Sequence, residues 1–141
     1  MQIVPFLTLA LTIFITPLLA MAPPTCDPTT PARRDWAESC IDELLTHGSD
    51  IVELSGPAFT SRNSLCFRGD AATGATTSFL LMHPRDGTFR TTKGDIACGA
   101  KAILDACNFG GGVLTGGIGG VCGTEDFLLG IDGWHNEGGR K

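Results

Sequence analysis

The chain has 141 residues, of which 43% are hydrophobic and 18% are charged. This composition is typical of a globular domain, and the length allows one such domain but not two. The formal net charge of −5 argues against nucleic acid or an anionic membrane surface as the partner, because both repel an acidic protein.

An apolar run occupies residues 3–20, and the first charged residue of the chain is Asp27. The run contains two prolines and ends in small residues at Ala20, which is typical of a secretory signal peptide. An uncleaved N-terminal anchor is the alternative, but it would need a basic flank. No second apolar segment has the length of a membrane span. We therefore predict a signal peptide over residues 1–20 and a secreted, extracellular protein without stable membrane insertion.

Six cysteines follow the predicted signal peptide. An even number in an exported chain indicates disulfides. A metal site is the alternative, but no C-x-x-C pair occurs and no histidine lies within four residues of a cysteine, so we expect no metal ligand. Six cysteines allow many connectivities, and the sequence alone does not choose among them. They are Cys26, Cys40, Cys66, Cys98, Cys107 and Cys122.

A proline-rich segment, residues 21–31, is predicted to be an extended lead-in tethered only by Cys26. The domain is expected to span residues 32–134 and to be followed by a flexible polar tail, residues 135–141. No internal repeat divides this domain.

A first helix is predicted from Ala32 or Asp35 to His47. Asp35 and Glu38 have the spacing of a capping box at its N-terminus. The apolar residues fall on one half of the helical wheel and include Cys40, so this cysteine is expected to face the core.

A second helix is predicted from Asp95, as its N-cap, to Cys107. Cys107 lies on the apolar side of this helix and Cys98 on the opposite side, so the two cannot bridge each other. We expect Cys107 to bond toward the sheet. We expect Cys98 to bond a segment that crosses the outside of the helix, for which the lead-in at Cys26 is one candidate.

Short runs rich in β-branched and aromatic residues lie between and after the two helices. Two helices covering a mostly antiparallel sheet of four or five strands form the two-layer arrangement that fits this order. The predicted fold is therefore an α+β sandwich stabilised by disulfides. The predicted strands are residues 51–54, 64–68, 77–83, 113–115, 120–122 and 127–131.

A glycine-rich stretch covers residues 109–123. It lacks the Lys-Ser/Thr pair of a P-loop and does not open a helix, so it does not match a nucleotide-binding loop. We assign its glycines to turns, bulges or a close approach of a strand to a helix, and we expect no cofactor.

Side chains suited to proton transfer are scattered along the chain. A small ribonuclease would need one or two histidines to converge with a glutamate and an arginine, and nothing in the spacing favours this. We therefore predict no catalytic residue and no enzymatic activity. The residues considered are His47, His83, His135, Glu53, Arg62 and Arg68.

Polar loops are the predicted binding surfaces, because binding residues concentrate on loops. The predicted loops are residues 55–63, 68–76 and 85–93. The second begins with Arg68-Gly69-Asp70, which matches an integrin-type adhesion motif. Three-residue matches arise readily by chance, so we do not expect adhesion.

Several short motifs follow one another over most of the chain after the predicted signal. They are Cys26, Asp35-Trp36-Ala37-Glu38-Ser39-Cys40, Ser64-Leu65-Cys66-Phe67, Gly94-Asp95-Ile96, Gly116-Gly117-Ile118-Gly119-Gly120-Val121-Cys122 and Leu129-Gly130-Ile131. In this order they resemble the fungal extracellular protein two family, also called the necrosis-inducing factor domain. Cys98 and Cys107 depart from the four-cysteine pattern of that family.

The resemblance implies a secreted fungal effector that acts in the extracellular space of a plant host. Such a virulence protein provokes cell death or is recognised by a host protein or receptor, without catalysis. Two alternatives stay open, a small secreted hydrolase or ribonuclease and a killer-toxin-like antimicrobial protein.

Overall fold

The computed structural model describes residues 21–108 and 113–134. The predicted signal peptide and the predicted tail, residues 135–141, lie outside the described residues. The elements in chain order are β1 (Thr25–Arg33), α1 (Arg34–Thr46), β2 (Ile51–Gly56), β3 (Arg62–Gly69), β4 (Thr76–Met82), β5 (Gly87–Thr92), α2 (Lys93–Ala106), β6 (Val113–Val121) and β7 (Thr124–Trp134).

Five strands form an antiparallel sheet in the order β1-β6-β7-β4-β3. Alternate residues of β4 and β7 are buried beneath the helices, among them Phe79, Leu81, Leu129 and Ile131. Both helices pack on this side, with α2 over β6 and α1 beside α2. The predicted α+β fold, with two helices on an antiparallel sheet and disulfide stabilisation, is confirmed.

The remaining strands, β2 and β5, pair with each other as a separate antiparallel ribbon. The ring of Phe89 in β5 lies 6.3 Å from the ring of Phe127 in β7, in an edge-on arrangement. The ribbon therefore extends the core on the same side of the sheet as the helices. No strand was predicted over residues 87–92, because this segment is polar and lacks an apolar alternation.

Residues 21–31 were predicted as an extended lead-in, and residues 25–33 are in fact strand β1 at one edge of the sheet. An edge strand tolerates proline because only one side of its backbone pairs with a neighbour. The pairing of β1 with β6 is irregular between Asp27 and Pro31, which accommodates Pro28. The segment is therefore held in place both by backbone pairing with β6 and by the Cys26 disulfide.

Residues 113–121 of the glycine-rich stretch form one strand, β6, where two short strands were predicted, and residues 109–112 lie outside the described residues. A Cβ atom at Gly117 would lie 3.0 Å from the Cys107 Sγ and 3.0 Å from Ile103 Cγ2. On the facing helix, a Cβ at Gly99 would lie 2.4 Å from the carbonyl oxygen of Gly120. The predicted close approach of a strand to a helix is thus confirmed, and it depends on glycine in both elements.

The capping box predicted for α1 is wrong. The N-cap is Arg33, whose side chain makes no capping hydrogen bond. The Arg33 guanidinium instead donates to Asp35 at 2.6 Å and 3.0 Å, and Arg34 donates to Glu38 at 2.8 Å. Both predicted capping carboxylates are therefore engaged by neighbouring arginines.

The N-cap predicted for α2 is also wrong by three residues. Thr92 is the N-cap, and its Oγ1 accepts from the backbone N–H of Asp95 at 3.1 Å. The Thr92 hydroxyl donates in turn to Asp95 Oδ2 at 2.8 Å. A threonine followed three residues later by an acid is the capping pattern, with aspartate here in place of glutamate.

Three disulfides tie these elements together. Cys107 bonds Cys26 in β1, which confirms that it bonds toward the sheet. Cys26, the candidate partner offered for Cys98, is wrong, because Cys98 bonds Cys122 at the turn between β6 and β7. That turn lies beside the start of α2, where the Cys122 N–H donates to the carbonyl oxygen of Asp95 at 3.3 Å. The pairs are Cys26–Cys107, Cys40–Cys66 and Cys98–Cys122.

The close contact of α2 with β6 predicts different effects for two glycine substitutions. Gly99→Ala places a methyl group 2.4 Å from backbone oxygen, so we expect a loss of about 1–3 kcal/mol in the free energy of unfolding. In Gly130→Ala the nearest atom is 3.8 Å away, so this matched control is expected to keep wild-type stability. Denaturant unfolding measures both, and equal effects would contradict the contact.

The two disulfides of similar loop length should differ in what their removal costs. Loops of 26 and 24 residues each contribute about 3–4 kcal/mol in the chain-entropy model. Cys40 and Cys66 are buried, whereas Cys98 is exposed. Cys40→Ala with Cys66→Ala should therefore cost about 1–2 kcal/mol more than Cys98→Ala with Cys122→Ala, because it also leaves a cavity. Urea unfolding of the two double variants tests the order, and a reversed order would contradict it.

Candidate functional site

The histidines considered as catalytic residues occupy separate elements. His47 is exposed at the end of α1, with its Nδ1 3.9 Å from Asp50 Oδ2. His83 is fully buried in the connection between β4 and β5. His135 lies outside the described residues.

The other candidate residues do not converge with these histidines. Glu53 on β2 pairs with Arg90 on β5, and their Oε2 and Nε atoms are 2.5 Å apart. Arg68 at the end of β3 pairs with Glu43 of α1. Arg62 lies at the opposite end of β3. A glutamate and an arginine are thus each engaged in surface ion pairs rather than gathered around a histidine.

The Arg68-Gly69-Asp70 motif lies where β3 turns toward β4. The Asp70 carboxylate accepts from the Ala72 N–H at 2.9 Å and from the Thr73 hydroxyl at 3.0 Å. These hydrogen bonds lower the pKa of Asp70. With Arg68 bound to Glu43, both charged ends of the motif serve the local structure.

The most distinctive loop surface combines residues 57–61, which follow β2, with residues 83–86, which follow β4. We call the first segment the Phe59 loop. The Phe59 N–H donates to the carbonyl oxygen of His83 at 2.9 Å, and the Ala58 N–H donates to Asp86 Oδ1 at 2.8 Å. Two connections that are distant in sequence therefore form one ordered surface.

Phe59 combines exposure with an unusual backbone conformation. Its φ angle of 59° lies in the left-handed region, which bulky residues rarely adopt. Its side chain is 49% exposed. A strained backbone at an exposed aromatic residue is a feature of binding sites, where surrounding structure holds the strained conformation in place.

His83 is buried next to the Phe59 loop. Its Nδ1 lies 2.6 Å from the carbonyl oxygen of Arg85, so Nδ1 carries the hydrogen, since a carbonyl only accepts. Its Nε2 is buried without a hydrogen-bond partner among the described residues. The Phe89 ring lies 5.4 Å from the imidazole. His83 is therefore shielded from solvent, and it contacts the Phe59 loop through its backbone carbonyl oxygen, which accepts from the Phe59 N–H.

The predicted loops are shorter than expected. Residues 55–56, 62–63, 68–69 and 76 belong to strands. Residues 57–61 fall inside the predicted loop 55–63. Of the predicted loop 85–93, however, residues 87–92 form β5. Only its first residues take part in the surface around Phe59.

A second feature is an acidic cleft on the side of the sheet away from the helices. The cleft has a volume of about 320 Å3 and is lined by Asp27, Asp132, Thr25 and Ile118, with the backbone of β1 and β6. Hydrogen bonds from Thr29 lower the pKa of Asp27. Burial raises the pKa of Asp132, and the charge of Asp27 raises it further. Neither carboxylate belongs to a motif that the sequence offers as a candidate site.

Within residues 21–108 and 113–134, no group of three or more His, Cys, Asp or Glu side chains is placed to hold a metal ion. No helix in the same ranges is long and apolar enough to cross a membrane. Models of known protein families, curated proteins and solved structures include no match to this chain. Its function is therefore inferred from the surfaces described above.

The raised pKa of Asp132 predicts the sign of a pH effect on stability. Because the pKa of Asp132 is higher in the folded state than in the unfolded state, protonated Asp132 stabilises the fold at low pH. This stabilisation is lost as the pH rises through the raised pKa. Asp132→Asn should therefore raise the melting temperature near neutral pH, and this gain should shrink below the ordinary aspartate range.

Asp35→Asn is the control for this pH effect. The Arg33 guanidinium lowers the pKa of Asp35, so its ionised form is stabilising and the substitution should lower the melting temperature near neutral pH. Thermal unfolding across the acid range measures both variants. A lower melting temperature for Asp132→Asn at neutral pH would contradict the assignment.

Proposed function

We propose that this protein is a secreted effector that binds a host protein or receptor outside the cell, without catalysis. The observation that carries the proposal is the Phe59 loop, an exposed aromatic residue fixed by backbone hydrogen bonds on a disulfide-bonded domain. The resemblance to the fungal necrosis-inducing factor family supports a plant as the host.

The covalent frame supports action outside the cell. Three disulfides are typical of proteins in an oxidising, extracellular-type environment. The apolar N-terminal run with its small-residue end supports export by a signal peptide.

The Phe59 loop supports binding for energetic reasons. Aromatic side chains dominate the binding energy of many interfaces because they bury a large area with few rotatable bonds. A loop that is already ordered loses little conformational entropy when it binds. The hydrogen bonds from Ala58 and Phe59 to the neighbouring turn supply that order.

The placement of polar side chains supports a non-catalytic role. Catalysis by histidine needs an accessible imidazole next to a second polar group. His83 is buried, and its Nδ1 is engaged by a backbone carbonyl. His47 is exposed at a helix end, and the Asp50 carboxylate 3.9 Å from its Nδ1 already accepts a hydrogen bond from Lys93 at 2.9 Å.

Infiltration of purified, oxidised protein into leaves of several plant hosts tests the proposal. We expect a host response to the wild type and none to a reduced and alkylated sample. Phe59→Gly should abolish the response while changing the free energy of unfolding by less than about 1 kcal/mol, since relief of the left-handed strain offsets the loss of a half-exposed ring. Ile51→Ser, which removes another exposed apolar residue, should keep the response.

Two histidine variants separate this proposal from an enzyme in the same assay. His83→Asn keeps an N–H donor near the position of Nδ1 and removes Nε2, so the Phe59 loop and the response should persist. His47→Ala should also retain the response. Loss of the response in either folded variant would favour the hydrolase or ribonuclease, and killing of microbial cells without a plant would favour the antimicrobial protein.

A further inference from the structure

In the part of the chain that the structure describes, one face of the five-stranded sheet is covered only at Gly120, where Met21 and Ala22 lie against it. Both helices and the β2–β5 ribbon lie on the opposite side, and among the described residues no helix or strand packs on this one. We call it the open face. Two of its side chains are strongly exposed, Phe67 at 59% and Ile118 at 46%. Apolar residues exposed together on one surface are typical of interaction sites.

The centre of the open face is apolar. Strand register places Ile118, Gly130 and Leu80 in one row across β6, β7 and β4, and Leu128 and Met82 in the next. Gly130, at the middle of the first row, has no side chain. A Cβ there would meet only the Leu80 carbonyl oxygen at 3.8 Å and Asp132 Oδ2 at 4.0 Å. Such a surface fits another apolar surface, as in the packing of one sheet on another.

Charges of opposite sign lie toward opposite corners of this apolar centre. Asp27 and Asp132 line the acidic cleft at one end of the face. Asp27 on β1 is paired with Gly116 on β6, and Asp132 on β7 is paired with Ser78 on β4. Arg62 lies at the far end of the Leu128–Met82 row, on edge strand β3. Most other basic residues that the structure describes are in ion pairs, whereas no ion pair within 4 Å engages Arg62.

The charge pattern of the open face is complementary to itself. A two-fold rotation about an axis in the plane of the open face exchanges its corners, so the arginine of one copy meets the acidic corner of the other while the apolar centres stack. A two-fold interface requires such self-complementarity, because each copy presents the same surface. Burial and the charge of Asp27 raise the pKa of the half-buried Asp132, and the charge of Arg62 in the same chain lowers it. Among the described residues, however, no basic side chain forms an ion pair with Asp132 within 4 Å.

We propose that the open face is the interface of a symmetric dimer, in which Arg62 of each copy pairs with Asp132 of the other. The occupant of the open face is thus a second copy of this chain. This inference does not rest on the proposed function, which uses the Phe59 loop.

The expected strength follows from the area. Five strands about 4.8 Å apart and about seven residues long give a face of about 500 Å2 per copy. A dimer would therefore bury about 1,000 Å2 in total, near the lower limit for specific interfaces. We expect reversible association with a dissociation constant in the micromolar range, on the order of 1–100 µM.

Sedimentation velocity over a concentration series that spans this range tests the dimer. Wild type should shift from monomer to dimer, and salt should weaken the association, because exposed ion pairs are screened. Arg62→Asp and Ile118→Asp should each weaken the dimer at least about tenfold, which corresponds to about 1.4 kcal/mol. Arg90→Asp, the same charge change on the β2–β5 ribbon, should leave it unchanged. Thermal unfolding confirms that each variant is folded.

A charge exchange gives the sharpest form of the test. Arg62→Asp and Asp132→Lys should each be monomeric alone, because each copy then opposes like charges across the interface. Mixed in equal amounts, they should form a heterodimer, because both contacts regain opposite charges.

A wild type that stays monomeric throughout the series would overturn the proposal. So would a mixture that stays monomeric, or an equal loss of the dimer in Arg90→Asp. Because Ile118 lies on β6, far in sequence from the Phe59 loop, a leaf response to Ile118→Asp reports on the proposed function separately from the dimer.

Discussion

The structure depends on the close contact between α2 and β6. Gly99 on the helix and Gly117 on the strand lack the side chains that would collide across this contact. Because the two elements meet at backbone distance, the Cys26–Cys107 disulfide is able to cross β6 above Gly117 and bind α2 to edge strand β1. The Cys98–Cys122 disulfide holds the other end of the same helix to the end of β6.

This constraint gives the molecule two unlike sides. On the helix side, α1 is joined to β3 by the Cys40–Cys66 disulfide, and the apolar residues of β4 and β7 are buried. On the open side, the same strands present their alternate residues without cover from any described helix or strand. The Phe59 loop lies apart from both, where the β2–β5 ribbon joins the sheet strands β3 and β4. The proposed host contact and the proposed dimer therefore use different surfaces.

Local patterns in the sequence predicted the helices and the inward positions of Cys40 and Cys107, because helical periodicity is a property of neighbouring residues. Strands β1 and β5 were missed, since the first is rich in proline and the second is polar, and both are stabilised by partners distant in sequence. The Cys98–Cys122 pairing depends on where the β6–β7 turn folds back, which no local pattern reveals. For the same reason the left-handed conformation of Phe59 had no signal in the sequence, whereas the outward position of Asp132 follows from the alternation of Phe127, Leu129 and Ile131.

Three disulfides join the helices to the sheet, and we propose that the chain is secreted. Peptide mapping of the unreduced protein from the medium of a eukaryotic expression host, together with its N-terminal sequence, tests this claim most directly. We expect the bonds Cys26–Cys107, Cys40–Cys66 and Cys98–Cys122, no free thiol, and an N-terminus at or near Met21. Free thiols or a different set of bonds would overturn the disulfide frame, and retention of residues 1–20 would overturn the proposed secretion.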